Sequence, residues 1–187
     1  MTPWLLFAAL SLAQPAALPR VLIVTDLGEI EMEVETVRAP GTAANFLRYV
    51  DLGLYDGGRF HRTVRIDNQP ANAVKIEVIQ AGASAARTRE FLPAIPLERT
   101  SVTGLTHGDG VVSMARGGAD TARDEFFICI GNQRELDFGG KRNADGQGFA
   151  AFGRVVGGMD VVRKIQASAA REQRLSPPIA ILRAARK

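Results

Sequence analysis

Cysteine is nearly absent from this chain: Cys129 is the only one in 187 residues, which excludes an intrachain disulfide framework. Histidine is almost as scarce, with two in the whole sequence, and two imidazoles plus one thiol build no zinc site without carboxylates. Neither a metal nor another cofactor is expected. Charge of one sign is not in excess, since 23 Lys and Arg stand against 20 Asp and Glu for a net +3, so nucleic acid is not an expected partner. No apolar run approaches the roughly 20 residues that a helical bilayer span needs. The sequence also lacks a G-x-S-x-G elbow, a phosphate-cradling G-x-x-x-x-G-K-[ST] loop and an H-E-x-x-H zinc motif. The common hydrolase, nucleotide-binding and metalloprotease readings fall away with them.

What remains is 46% hydrophobic and 23% charged, enough apolar material for one core and too little length for two ordinary domains. Trp4 to Ala13 holds nine apolar residues out of ten and no charge, the character of a signal-peptide h-region. Ser11 and Ala13 supply the small residues that precede a cleavage point before Gln14. The expected organisation is a signal peptide over 1–13, a linker over 14–20 and one domain over 21–187. That organisation implies export across an inner membrane, into a bacterial periplasm, with no membrane span once the leader is removed.

Within the domain, Val21 to Thr25, a turn at Asp26-Leu27-Gly28, and Glu29 to Val34 read as a β-hairpin. Ile30, Met32 and Val34 alternate there with glutamates, which gives the hairpin one wet face. Pro40 starts a helix in which Ala43, Phe46, Leu47 and Val50 share a face, and Gly53 is suited to end it. Short β-like runs follow at Lys75 to Gln80, Gly110 to Met114 and Phe126 to Ile130, separated by Gly-, Asp-, Asn- and Arg-rich segments. A second helix is expected from Met159 to Gln166, and a last strand from Ile179 to Leu182 after Pro177-Pro178. Many short strands, two separated helices and no βαβ rhythm favour a mainly β fold, a closed antiparallel barrel or a sandwich with helical caps.

The chemistry has to be sought in five segments: Phe60-His61-Arg62, Val78-Ile79-Gln80-Ala81-Gly82, Val112-Ser113-Met114-Ala115-Arg116, Glu125-Phe126-Phe127-Ile128-Cys129 and Phe149-Ala150-Ala151-Phe152-Gly153-Arg154-Val155. In this order they resemble the cyclophilin family of peptidyl-prolyl cis-trans isomerases, and the resemblance runs from about Val21 to the last strand. It implies a closed eight-stranded antiparallel β-barrel capped by two α-helices, with substrate in a groove on the outer surface. The implied partners are unfolded or flexible proline-containing polypeptides, served by a monomer without a cofactor.

The resemblance also assigns roles. Arg62 matches the catalytic arginine, Phe127 the aromatic floor of the proline pocket and Gln80 the glutamine that orients the arginine. Substrate contacts are implied for Val78, Met114, Ala115, Arg116, Glu125, Leu136 and Phe149. By themselves His61 reads as structural, because bond rotation transfers no proton, and Cys129 as an inert small hydrophobe. Arg171, Arg174, Arg183, Arg186 and Lys187 read as a solvated basic end.

Several positions depart from the family pattern. Arg65 to Ala73 lengthens the link between Arg62 and Gln80, and Phe138 to Gly148 lengthens a second loop beside the groove. Counting back from Gln80, Val78 replaces a methionine and Glu77 a pocket phenylalanine. Glu125 replaces a glutamine and brings a charge near Arg62, where it either aligns the guanidinium or ties it up. Phe149 replaces a histidine, and Glu135 a tryptophan whose absence implies weak cyclosporin binding. Two functional readings follow: an X-Pro isomerase, and a proline-segment binding module or chaperone that turns over poorly.

Overall fold

The computed structural model describes residues 17–87 and 92–187. The leader and residues 14–16 of the linker lie outside the described residues. Among the described residues no helix is long and apolar enough to cross a membrane.

Nine strands make one sheet, all paired antiparallel: β1 (Arg20–Thr25), β2 (Gly28–Val34), β3 (Arg59–Val64), β4 (Val78–Gly82), β5 (Val111–Met114), β6 (Phe126–Cys129), β7 (Ala150–Gly157), β8 (Ala170–Arg171) and β9 (Arg174–Arg186). Their order is β1-β2-β7-β5-β6-β4-β3-β9-β8, and a further β1–β9 ladder closes eight of them into a barrel. The two-residue β8 hangs on β9 as a flap, with Ala170 opposite Leu175 and Arg171 opposite Arg174. The eight-stranded barrel expected from the resemblance is therefore the observed fold.

Period-2 alternation builds the interior. Val21, Ile23, Ile30, Met32, Phe60, Ile79, Ala81, Phe126, Ile128 and Phe152 all enter the barrel core. Helix α1 (Pro40–Asp51) plugs one end, with Phe46 5.5 Å from Phe126 and 5.0 Å from Phe152, ring to ring. Truncating a buried ring of this kind costs about 3–5 kcal/mol. The N-terminus of α1 has no local side-chain cap; instead Glu98 accepts from the Gly41 and Thr42 amides at 3.0 and 2.7 Å. At the other end of α1, Gly53 takes the left-handed conformation (φ +65°), in keeping with its expected role as terminator. A four-residue helix α2 (Thr100–Thr103) lies in the connection to β5. Helix α3 (Met159–Ala167) buries Val161, Val162 and Ile165. Its lead-in Gly158 has φ +84°, and a Cβ there would stand 2.1 Å from the Glu29 carbonyl oxygen, so only glycine fits.

The largest difference from the sequence reading is β9, which runs 13 residues instead of four. Its prolines lie where the ladder to β3 breaks register: Phe60 pairs with Ile179, and Arg62 already pairs with Arg174. Pro177 and Pro178 occupy the slack, where no ladder N–H is required.

Candidate active site

The site is a row of outward-facing side chains crossing neighbouring strands. Arg62 on β3 is opposite Gln80 on β4, Gln80 is opposite Phe127 on β6, and Phe127 is opposite Ser113 on β5. Their sequence neighbours Ile79, Phe126, Ile128 and Val112 point inward to the barrel core. Either face of the Phe126-Phe127 pair could have been inside from sequence alone; the ladder puts Phe126 in and Phe127 out.

The row divides into a polar and an apolar half. In the polar half, Arg62 Nη1 donates to Gln80 Oε1 at 2.9 Å. Its Nε and Nη2 both donate to Gln173 Oε1, at 3.0 and 2.6 Å. A guanidinium has five N–H groups, so one N–H on each terminal nitrogen is left for substrate. Gln80 in turn donates through Nε2 to Glu125 Oε2, and the other Glu125 oxygen lies 3.4 Å from His61 Nε2. Glu125 thus reaches Arg62 through Gln80 and makes no ion pair with it within 4.0 Å. The His61 ring, followed by the Gln80 amide and the Arg62 charge, holds the Glu125 carboxyl below its ordinary range against the burial that raises it. Burial pulls Arg62 below its ordinary value, opposed by the Glu125 charge.

In the apolar half, Phe127 packs with Val64, Ile76, Val78, Cys129 and Leu136, and Ala115 and Phe149 close the cluster's edge. The Phe149 ring stands perpendicular to Phe127 at 5.3 Å, and the Arg116 guanidinium lies 5.1 Å over Phe149. Arg116 is held by Asp145 and the Gly148 carbonyl, so its side chain ties down the second lengthened loop. Burial pushes the Cys129 thiol well above its ordinary value, consistent with an inert hydrophobe.

One expectation needs correction. Met114 was expected to touch substrate, but it is 1% exposed and belongs to the barrel core; alternation along β5 turns Ser113 outward and Met114 inward. Glu77, which replaces a pocket phenylalanine of the family, accepts from Gln166 Nε2 at 3.1 Å, and Ile76 joins Val78 in the apolar cluster. The basic end is solvated as expected, with Arg186 paired to Asp51 and Lys187 to Glu31 at the surface.

Two features were not anticipated. One is Gln173, which comes from the turn between β8 and β9, a segment with no motif to flag it. The other is His107, completely buried and stacked 5.9 Å behind Phe127. Its Nδ1 meets Asp137 Oδ1 at 2.7 Å and its Nε2 meets Ser113 Oγ at 2.9 Å. That connectivity is the one a serine hydrolase uses, but both Ser113 and His107 are 0% exposed, so no acyl group reaches the hydroxyl. The trio braces the back of Phe127. Burial alone would raise the Asp137 carboxyl; the His107 hydrogen bonds outweigh it and hold the group low.

The lengthened loops are ordered by their own polar contacts. Gln69, 1% exposed, donates to the Arg65 and Ile76 carbonyls. Arg142, from the second loop, reaches across to Gln69 Oε1 at 2.8 Å and to the Val74 carbonyl at 2.6 Å.

The closed antiparallel barrel has an interior filled with side chains and carries, on its outer wall, an arginine one strand beyond Gln80 from an aromatic-floored apolar patch. Comparisons with known proteins place it further. The profile of the cyclophilin type peptidyl-prolyl cis-trans isomerase/CLD family matches residues 20–186, and the chain belongs to that family. It is 34% identical over 142 residues to a peptidyl-prolyl cis-trans isomerase of Acinetobacter baylyi, covering 75% of this chain and 68% of that one. It is 32% identical over 143 residues to peptidyl-prolyl cis-trans isomerase B of Escherichia coli, covering 76% and 80%. Among solved structures, a Cryptosporidium parvum cyclophilin type isomerase superposes with a TM-score of 0.72 at 18% identity, over 91% of this chain and 98% of that chain. A second structure of that isomerase was determined in the presence of the dipeptide Ala-Pro, with a TM-score of 0.71.

Proposed function

We propose that this chain accelerates cis-trans rotation of X-Pro bonds in unfolded or flexible polypeptides, non-covalently and as a monomer, after export to a periplasm. The observation that carries the reading is the adjacency of a fixed guanidinium, with two unused N–H groups, to the Phe127 patch. An apolar patch suits a proline ring, and the structural relative was determined in the presence of a proline-containing dipeptide, Ala-Pro.

The mechanism follows from the amide. Rotation must pass a barrier of roughly 18–20 kcal/mol because twisting destroys resonance. In the twisted state the proline nitrogen becomes pyramidal and gains a lone pair, so a donor aimed at it is better satisfied there than in the planar ground state. Arginine suits the task because it does not lose its proton. A ten-thousandfold acceleration needs about 5.5 kcal/mol, and one hydrogen bond to a charged group supplies about 1.5–3. The remainder comes from desolvating the amide against Phe127, Val78, Leu136 and Phe149 and from anchoring the flanking chain along Ala115 and the Arg116 backbone.

A second reading, a proline-segment binder with poor turnover, draws support from the substituted positions: Glu77 and Val78 stand where the family has a phenylalanine and a methionine, and Glu125 brings a carboxylate onto Gln80. NMR exchange on a short Ala-Pro peptide separates the two. Accelerated exchange at catalytic protein concentration is the expected result, and peptide shifts without acceleration would favour the binder. Export rests on Trp4 to Ala13, and N-terminal sequencing of the periplasmic fraction, with Gln14 expected first, tests it.

A further inference from the structure

The active row does not end at Arg62. On its far side Arg62 is directly opposite Arg174 on β9, and Arg174 is directly opposite Arg171 on β8. Three arginines thus follow one another across three adjacent strands, with the catalytic one innermost. Directly opposed like charges destabilise a sheet, and a neighbouring carboxylate would ordinarily relieve the repulsion. Among the described residues, neither Arg171 nor Arg174 has a carboxylate oxygen within 4.0 Å; other arginines also lack one, but these two are directly opposed to each other and one of them to Arg62. Arg62 is itself satisfied by two neutral glutamines.

The three arginines line one cleft of about 770 Å³ together with Arg65, and the first lengthened loop forms the opposite wall. Two carboxylates share that lining, Asp67 and Glu172. Asp67 is taken by Arg65 at 3.3 Å, which leaves three guanidiniums, those of Arg62, Arg171 and Arg174, sharing the cleft with Glu172. The hairpin is fixed against the loop: Asn68 donates to the Glu172 carbonyl at 2.9 Å, and Thr63 N donates to the Gln173 carbonyl at 2.9 Å. The backbone that carries Arg171 and Arg174 is therefore held in place before a ligand arrives.

From these observations we infer that the cleft is a specificity subsite for an anionic side chain of the substrate, an Asp or Glu two or three residues from the isomerised proline. The inference rests on the isomerase reading and names the substrate class that this member of the family prefers. The spacing follows from sheet geometry: strands lie about 4.8 Å apart, placing the Arg174 and Arg171 backbones about 5 and 10 Å from that of Arg62, and an extended peptide advances about 3.3 Å per residue.

The test uses Ala-Pro peptides carrying Glu, or its neutral isostere Gln, at the second or third residue on either side of the proline. Turnover is read by NMR exchange and affinity by shift titration, with the wild-type protein and the Arg171→Gln/Arg174→Gln variant. For at least one position the Glu peptide should exceed its Gln counterpart by about threefold to tenfold, the range of one or two exposed ion pairs. That ratio should shrink toward one in 0.5 M salt, and toward one in the double variant. Equal Glu and Gln peptides at every position, or a preference indifferent to both salt and the double variant, overturns the subsite. The salt series needs the wild-type protein alone, so poor folding of the variant leaves the question decidable. Absence of turnover on every peptide counts against the isomerase reading, while the titrated affinity ratio still decides for or against the subsite.

Discussion

Gln173 Oε1 accepts from both Nε and Nη2 of Arg62, at 3.0 and 2.6 Å, and so fixes the plane of the guanidinium from a strand pair that shares no motif with it. The contact is made to a charged donor, a class worth about 1.5–3 kcal/mol. If its work is orientation, Gln173→Ala lowers kcat about tenfold with KM little changed, and Gln173→Glu, which keeps the oxygen, retains most of kcat. Adding Gln173→Ala to Arg62→Ala should then cost nothing further, since the two act as one unit. A Gln173→Ala protein that merely melts earlier, with wild-type kcat, would reduce the residue to a structural contact.

Asp137 gives the fold an acid limit. Its carboxyl is held low in the folded state by His107, so its contribution to stability is present above the unfolded-state value near 4 and is lost as pH falls through the folded value. Replacement by Asn removes that term and leaves His107 with a neutral partner. Thermal melts should show Asp137→Asn losing about 3–10 °C at pH 7, from one charged hydrogen bond and the size of the chain. The gap to wild type should narrow below pH 4. A constant gap from pH 7 to pH 2 would show that the charge of Asp137 is not what stabilises.

Arg142 is the polar link between the two lengthened loops. Arg142→Ala removes both bonds and leaves the buried Gln69 Oε1 short of a donor, so the Gln69-to-Ile76 segment should open locally without a global change. Hydrogen exchange at the Ile76 amide, which faces Gln69 Oε1 at 3.4 Å, should speed up about tenfold or more, while Phe126 and Ile128 in β6 keep wild-type protection. Unchanged exchange at Ile76 would mean that the loop holds itself.

Much of the fold was legible because its strands and helices announce their buried faces. Glu29 to Val34 alternates strictly, and Pro40 to Gly53 carries both a start and a stop. Strands β3 and β7 were harder: β3 mixes Arg59, His61 and Arg62 with Phe60, and β7 carries two glycines, so neither shows a clean period. The length of β9 was hidden by Pro177-Pro178, which reads as an entry point until the register break shows room for it. At the site, the segments flagged Arg62, Gln80 and Phe127, and the ladders bring the three into one row. Met114 was misplaced because adjacency in sequence puts consecutive strand residues on opposite faces. Gln173 and His107 were invisible for a different reason: each acts through a contact more than five residues away, made only by the closed barrel.

Arg62 is the centre of the account, and Arg62→Ala is its most direct trial. NMR exchange of an Ala-Pro peptide, with wild-type and variant protein side by side at the same catalytic concentration, measures turnover, and peptide titration measures binding. The account predicts accelerated exchange with the wild type, a loss of more than tenfold in the variant, an intact fold, and retained peptide shifts from the Phe127 patch. Unchanged exchange in Arg62→Ala would contradict it.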